Sequence, residues 1–207
     1  MAVNYTVQAD VIDIRTDAPQ PTDEFLVDTN VWYWMVYSRA SIGPNPPQTR
    51  QVTDYPGYIS RALTVHSQLR CCGLTMAEIV HLVEKAEREI YCSLNPFVPA
   101  KEFRHNFPVE RANVISEVLG AWSQIASASS SLDTVVDDAA TTAALTRFQT
   151  EALDGYDLFL LEAMQTAGVV QIITDDGDYS AVPGIRMFTS NRNVLIAAQA
   201  QGKLIVR

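Results

Sequence analysis

The hydrophobic and polar positions of this chain follow two periods. Short unbroken apolar runs, rich in Val, Ile, Leu and Phe, are typical of strands that a parallel sheet buries on both faces. Between them, apolar residues recur every three or four positions, as in amphipathic helices. The predicted strands are 11–15 (an edge strand), 25–27, 132–136, 169–173, 185–188 and 204–206, and the segment 73–78 is predicted to be the end of a further strand turning into a helix.

Predicted helices separate these strands. They begin near 31, 58, 78, 109, 137, 157 and 193 and end near 38, 69, 91, 126, 153, 168 and 201. Alternating strands and helices are typical of a sheet covered on both faces. We therefore predict an α/β fold, a three-layer α/β/α sandwich with a mainly parallel central sheet.

Prolines interrupt this alternation in two places. The segment 41–57 contains four prolines and the segment 95–108 contains three. Because proline lacks a backbone N–H and clashes with the preceding helical turn, both segments are predicted to be loops. The domain organisation that follows is an N-terminal extension at 1–23 and one domain at 24–207 with two proline-rich inserts.

Two predicted strands end on acidic residues. Asp28 directly follows the run 25–27, and the run 169–173 continues into Thr-Asp-Asp-Gly-Asp-Tyr at 174–179. Ligands of open α/β sheets bind outside the carboxyl ends of the strands, so acids at these points have a chemical interpretation. Asn30 is placed to cap the helix that follows Asp28.

Composition narrows the class of protein. The 207 residues include 24 acidic and 15 basic residues, a net charge of −9 that argues against coating nucleic acid through a broad positive field. Cys71, Cys72 and Cys92 form no Cys-x-x-Cys pair, so neither a disulfide framework nor a zinc knuckle is expected. Without a signal-peptide pattern or an apolar stretch of ~20 residues, we expect a cytoplasmic protein that does not enter the membrane.

Four motifs follow one another along the chain: Leu26-Val27-Asp28-Thr29-Asn30, Leu74-Thr75-Met76-Ala77-Glu78-Ile79, Tyr156-Asp157-Leu158 before Ala163 and Gly168, and Ile173-Thr174-Asp175-Asp176-Gly177-Asp178-Tyr179. Their order and spacing resemble the PIN-domain nucleases, a family that includes the VapC-type toxins of bacterial toxin–antitoxin pairs. The resemblance spans 24–190, and compact toxins of the family are shorter than this chain.

This resemblance implies a metal-dependent endoribonuclease. Asp178 matches an accessory metal-binding acid, and Asn30 and Thr174 match polar groups beside the site. The implied cofactor is Mg²⁺ or Mn²⁺, the implied substrate is RNA, and the implied partners are an antitoxin protein and a second copy of the chain. The metal-binding and catalytic carboxylates of the family match four residues, here named the predicted acids: Asp28, Glu78, Asp157 and Asp176.

The chemistry requires residues of this type. Mg²⁺ and Mn²⁺ prefer oxygen ligands and keep several waters, so a few carboxylates from separate elements make a suitable site. A metal-bound water has a lowered pKa and can attack a phosphodiester without a Ser, Cys or His nucleophile. We therefore expect the predicted acids to converge in one cleft.

Each predicted acid also has a structural alternative. Asp28 could cap a helix, and Asp157 competes for its position with Asp154. Glu78 could form a capping box with Thr75. Asp and Gly are common in turns, which would account for the acidic segment before Tyr179. We expect the remaining glutamates of the helix that carries Glu78 to lie on a solvated face: Glu84, Glu87 and Glu89.

Other residues suggest weaker possibilities. Glu78 and His81 form one Glu-x-x-His pair, but a di-iron site needs two such pairs, so a core or surface histidine is favoured. The aromatic residues 32–34 could stack on nucleobases, although a place in the core is favoured. Arg192 could face phosphate or be a solvated charge.

Two other functions compete with the nuclease. The main rival keeps the fold and loses the catalysis, leaving a weakly active or inactive module that binds RNA or protein. A phosphatase with an aspartate nucleophile is disfavoured, because Asp28-Thr29-Asn30 lacks a second acid two residues further on.

Overall fold

Seven parallel strands form the centre of the computed structural model, which describes residues 3–207. The order across the sheet is β4-β3-β2-β5-β6-β1-β7. The prediction of an α/β sandwich around a parallel sheet is confirmed. The strands are β1 Asp10–Asp13, β2 Glu24–Val27, β3 Gln68–Cys72, β4 Ser130–Leu132, β5 Gln171–Ile173, β6 Arg186–Thr189 and β7 Leu204–Ile205.

Helices cover both faces of the sheet. Neighbouring strand residues point to opposite faces, so Leu26 and Ile172 lie in one apolar core and Phe25 and Ile173 lie in the other. A 3₁₀ helix spans Asp178–Ala181. The α-helices are α1 Thr29–Val36, α2 Thr49–Thr64, α3 Gly73–Leu94, α4 Ala100–Asn106, α5 Pro108–Ala128, α6 Asp138–Phe148, α7 Gly155–Ala167 and α8 Arg192–Ala200.

The first strand is interior, contrary to the predicted edge strand. β1 pairs with β6 on one side and with β7 on the other. Val11 and Ile12 are buried, one in each core. The strand nearest the N-terminus is thus inserted between the last two strands of the chain, a pairing that local pattern does not reveal.

Helices occupy part of both proline-rich segments, so the prediction of continuous loops there is wrong. Pro56 lies inside α2, where the burial of Tyr55, Tyr58 and Ile59 against the sheet offsets the ~3 kcal/mol that an internal proline costs. Pro99 is the N-cap of α4. The start of a helix tolerates Pro99, because the first turn does not need the missing N–H.

Several element boundaries also differ from the prediction. The helix expected to reach residue 69 ends at Thr64, and His66 then adopts a left-handed backbone with φ of 64°. β3 begins two residues later. A strand ending near residue 73 was expected, but its polar residues Gln68 and Arg70 concealed where it begins; Arg70 pairs with Glu24 on the neighbouring strand. The expected strand 132–136 is replaced by β4 Ser130–Leu132.

Strand order creates a switch point between β2 and β5. From β2 the chain continues through α1 and α2 to β3 on one side, whereas β5 pairs with the other side of β2. When the chain leaves two neighbouring parallel strands toward opposite sides of the sheet, a crevice opens at the carboxyl ends of those strands. Within residues 3–207, the helices include none long and apolar enough to cross a membrane.

Candidate active site

Asp28 and Thr174 leave the sheet side by side at the switch point. Val27 pairs with Ile173, and the Asp28 N–H donates to the Ile173 carbonyl at 3.0 Å. The Thr174 hydroxyl donates to Asp28 Oδ2 at 2.8 Å. The carboxyl ends of the two strands therefore place a carboxylate and a hydroxyl at the edge where such folds bind ligands.

The Asp28 side chain does not act as a helix cap. Asp28 occupies the N-cap position of α1, yet its carboxylate makes no capping hydrogen bond. Asn30, which we expected to cap this helix, is the second residue inside it and is exposed. The buried Asp28 carboxylate is instead held by Thr174, which follows the neighbouring strand β5.

Glu78 approaches the same region from α3. Its carboxylate Oε2 accepts a hydrogen bond from the hydroxyl of Thr29, the residue that follows Asp28. Thr75 turns back to the start of α3, where its hydroxyl accepts from the Cys72 N–H at 3.3 Å. The alternative capping box between Thr75 and Glu78 is therefore not formed.

Asp154 and Asp157 divide two roles between them. Asp154 caps α7, since its Oδ1 accepts from the N–H groups of Tyr156 at 2.9 Å and Asp157 at 3.2 Å. Asp157 lies one turn further on and is buried. Its Oδ1 accepts from the Tyr179 hydroxyl at 2.7 Å. Asp157 is therefore free of a capping role.

The three aspartates of the turn after β5 have different hydrogen-bond partners. The Asp176 N–H donates to the Thr174 hydroxyl at 2.9 Å, and Asp176 Oδ1 accepts from the Asp178 N–H at 2.9 Å. Asp175 is bound elsewhere, by the guanidinium of Arg50 and by the Tyr55 hydroxyl at 2.7 Å. The turn interpretation holds for the backbone, and Thr174 links Asp176 to Asp28.

Tyr5 limits what can occupy this turn. A Cβ built on Gly177 would lie 2.3 Å from the Tyr5 ring. Any side chain at position 177 would displace the Tyr5 ring. The N-terminal segment thus packs on the acidic turn at the glycine between Asp176 and Asp178.

Hydroxyl groups hold three of the predicted acids. Thr174 binds Asp28, Thr29 binds Glu78, and Tyr179 binds Asp157, and each pair joins two different elements. Within residues 3–207, the ion pairs formed by Lys or Arg do not include a predicted acid. Neutral donors fix these carboxylates without neutralising their charge.

Burial and mutual repulsion raise the pKa values of these acids. Burial, with smaller contributions from Asp176 and Glu78, raises the pKa of Asp28 to about 7, although the Thr174 hydrogen bond opposes the shift. Burial raises the pKa of Asp157 to about 8; Tyr179 opposes this shift, and the Asp28 charge adds to it. Burial also raises the pKa values of Glu78, Asp176 and Asp178.

The predicted acids raise one another's pKa values, but their side chains do not converge on one point. Within residues 3–207, no three His, Cys, Asp or Glu side chains lie close enough to hold one ion directly. Carboxylate oxygens that pair with no Lys or Arg of residues 3–207 suit a hard divalent ion, and this spacing suits an ion that keeps several of its waters. The donor chemistry therefore fits Mg²⁺ or Mn²⁺ held partly through water.

A cleft of about 320 Å³ opens beside Glu78. We call it the Tyr156 cleft. A larger cavity of about 420 Å³ lies between the segment after β4 and helices α6 and α7, away from the predicted acids. The lining of the Tyr156 cleft includes Thr29, Asn30, Glu78, His81, Asp154 and Tyr156.

Sequence reasoning named Thr174 as a polar group beside the site but missed the other residues that position the acids. Thr29 and Tyr179 stood inside the motifs that carried the resemblance, but neither was assigned a role. Asp154 had been considered only as a competitor of Asp157. A polar residue directly after a strand-ending acid, and the aromatic residue that closes the 174–179 segment, were the available signals.

Other interpretations changed with the structure. Glu84 and Glu87 are buried, contrary to the expected solvated face. Arg104 and Arg111 bind Glu84, while Tyr37 and Arg39 bind Glu87. These contacts tie α3 to its neighbouring segments. Two preferred interpretations are confirmed: Trp32 is buried in the core, and Arg192 is exposed.

Comparison of this sequence with models of known protein families, with curated protein sequences and with solved structures found no match.

Proposed function

We propose that this protein is a PIN-like endoribonuclease that hydrolyses RNA phosphodiester bonds with the help of Mg²⁺ or Mn²⁺. One observation carries the proposal. Four acids lie around the switch point of a parallel sheet, none of them pairs with a Lys or Arg of residues 3–207, and hydroxyl groups hold three of them. Uncompensated buried charge costs stability, which makes a functional reason for the arrangement credible.

Asp28, Asp157 and Asp176 would hold the ion. Glu78 and Asp178 would lie at the edge of the ion site. When bound, a divalent ion lowers the pKa of water and stabilises charge on the phosphate. The protein supplies orientation: Thr174 fixes Asp28 and the backbone of Asp176 through one hydroxyl. Thr29 plays the same part for Glu78.

A second function is a catalytically weak module that binds RNA or a protein partner. The spacing of the acids favours it, because among the described residues no three are close enough to bind an ion directly. Under either function, toxin activity and pairing with an antitoxin are further proposals, because they extend the resemblance to the whole biological role.

Cleavage of fluorescent single-stranded RNA by the purified protein tests the first function. We expect cleavage in Mg²⁺ or Mn²⁺, none in chelator, and a loss of about a hundredfold or more in Asp28→Asn, because the amide is a poorer and uncharged ligand. Glu102→Gln, which removes an exposed acid from α4, is the matched control and should keep full activity.

Two outcomes would contradict the proposal. Equal cleavage by Asp28→Asn and wild type would show that a different site or a contaminating nuclease acts. If the protein binds RNA but neither cleaves it nor binds Mn²⁺, the second function, a binding module, is supported instead.

A further inference from the structure

The Tyr156 cleft combines features that the four acids do not explain. Its volume of about 320 Å³ lies at the lower end of the ~300–1,000 Å³ range of small-molecule pockets. It shares Glu78 with the proposed active site. A group bound there would therefore lie next to the acids.

Tyr156 provides a free aromatic surface at this cleft. The residue is 51% exposed. Its backbone N–H donates to the capping Asp154 carboxylate at 2.9 Å, which fixes the backbone from which the ring projects at the start of α7. Among residues 3–207, no aromatic or cationic partner stacks on this ring.

The polar lining selects against a bare anion. Glu78 and Asp154 contribute carboxylates, and the described lining contains neither Lys nor Arg. A phosphate in the cleft itself would meet repulsion. A neutral flat group would instead meet the Tyr156 ring, the apolar side chain of Leu82 and the exposed amide of Asn30, which can both donate and accept hydrogen bonds.

We infer that the Tyr156 cleft binds one unpaired nucleobase of the RNA, with Tyr156 as the stacking platform. This inference rests on the proposed function. Unstacked bases are commonly recognised by aromatic rings and by side chains that bond to the base edge. A paired base has both its faces and its pairing edge occupied, so the cleft selects single-stranded or looped RNA. Tyr156 is a specificity residue that holds the substrate beside the acids.

Equilibrium binding tests the inference without turnover. Fluorescence anisotropy of a labelled single-stranded RNA decamer is measured in Ca²⁺, with gel analysis to confirm that the RNA stays intact. We expect Tyr156→Ala to weaken binding by about ten- to a hundredfold, the range of base–aromatic stacking, and Tyr156→Phe to keep it. Phe148→Ala removes a similarly exposed ring outside the cleft and should bind as wild type does.

A set of decamers with one abasic position each locates the base. In wild type, one position should show a penalty similar to that of Tyr156→Ala, and in Tyr156→Ala that penalty should disappear. If removing the base weakens binding only when the Tyr156 ring is present, the base and the ring are in direct contact. Thermal melting of each variant checks that the fold is intact.

The outcomes separate this inference from the proposed function. Normal RNA binding by Tyr156→Ala in a protein that cleaves RNA would overturn the inference alone. Tyr156-dependent binding by a protein that cleaves nothing would support the inference and overturn the nuclease. Equal binding of every abasic decamer and of the intact RNA by wild type would show that the cleft holds no base and would also overturn the inference.

Discussion

Tyr179 donates a hydrogen bond from its hydroxyl to Asp157 Oδ1 at 2.7 Å, and both side chains are buried. The contact joins the 3₁₀ helix after β5 to the first turn of α7. It lowers the pKa of Asp157 against the larger upward effect of burial. The aromatic residue at the end of the acidic segment thus supports an acid that lies 22 positions earlier in the chain.

Tyr179→Phe is expected to weaken ion binding more than it weakens the fold. The change removes one hydrogen bond to a buried carboxyl, which costs about 1–2 kcal/mol. Because the Asp157 pKa then rises further, fewer molecules carry the charge at neutral pH, and the pH–activity profile should move to higher pH. Mn²⁺ titration followed by thermal melting measures the loss of ion binding.

Tyr58→Phe is the matched control for that experiment. Tyr58 also donates to a buried aspartate, Asp17, at 2.5 Å, but this pair lies outside the proposed site. It should lower stability while leaving the Mn²⁺ response unchanged. Similar Mn²⁺ responses in both variants would assign Tyr179 a purely structural role.

Thr174→Val should reduce RNA cleavage by about ten- to a hundredfold, the usual cost of losing a residue that orients a metal ligand. Its hydroxyl both donates to Asp28 and accepts from the Asp176 N–H, so the change releases two contacts with the predicted acids. Thr174→Ser keeps the hydroxyl and should restore most of the activity. Steady-state kinetics on the two variants decides the point; equal activity in both would show that the hydroxyl is dispensable.

Metal-free protein should lose stability as pH rises. The pKa of Asp28 rises from 3.8 to about 7, and that of Asp157 rises from 3.8 to about 8. A raised folded-state pKa means that the folded protein binds more protons than the unfolded chain, so stability falls with rising pH between about 4 and 8. Melting in chelator across this range checks the trend.

Mn²⁺ should reverse this loss, because an ion that binds the folded state raises the melting temperature with its concentration. The effect should grow as pH increases and the acids ionise. A melting temperature indifferent to millimolar Mn²⁺ at pH 8 would contradict the ion site.

Asp176→Asn should stabilise the metal-free protein near pH 8, because burial and nearby like charges disfavour the ionised acid. The amide oxygen can still accept from the Asp178 N–H, whereas the charge that repels the neighbouring acids is gone. The same variant should respond less to Mn²⁺. Simple destabilisation, measured by denaturant unfolding, would instead make Asp176 a structural element of the turn.

Arg207→Ala should destabilise the fold by about 2 kcal/mol without changing the Mn²⁺ response. Arg207 binds Asp17 at 2.7 Å and Asp23 at 2.6 Å, and its guanidinium lies 4.6 Å from the Phe188 ring centroid. Its removal leaves two buried carboxylates without their cation. Arg207→Lys keeps the charge and should recover part of the loss in thermal melting. A variant as stable as wild type would show that water replaces the ion pair.

The sequence by itself determined the class of fold and the points where acids meet the sheet. Both follow from local pattern: buried parallel strands need unbroken apolar runs, and Asp28 directly follows one of them. Some helix ends could also be predicted from nearby residues. Gly168, which adopts a φ of 71°, ends α7 as glycine commonly does. The fold and the strand-end acids could therefore be predicted before any contact was known, whereas Glu78 and Asp157 were assigned to the site only through the resemblance.

Only the tertiary structure decided which groups meet. Strand order places β1 between β6 and β7 and brings Thr174 to Asp28, 146 positions away. The same packing allows Pro56 inside a helix and buries Glu84 beside arginines. Periodicity reports how a residue faces its own element, whereas burial, pKa and hydrogen-bond partner depend on the elements that pack against it. The hydroxyl contacts of Thr29 with Glu78 and of Tyr179 with Asp157 therefore emerged only when the chain was folded.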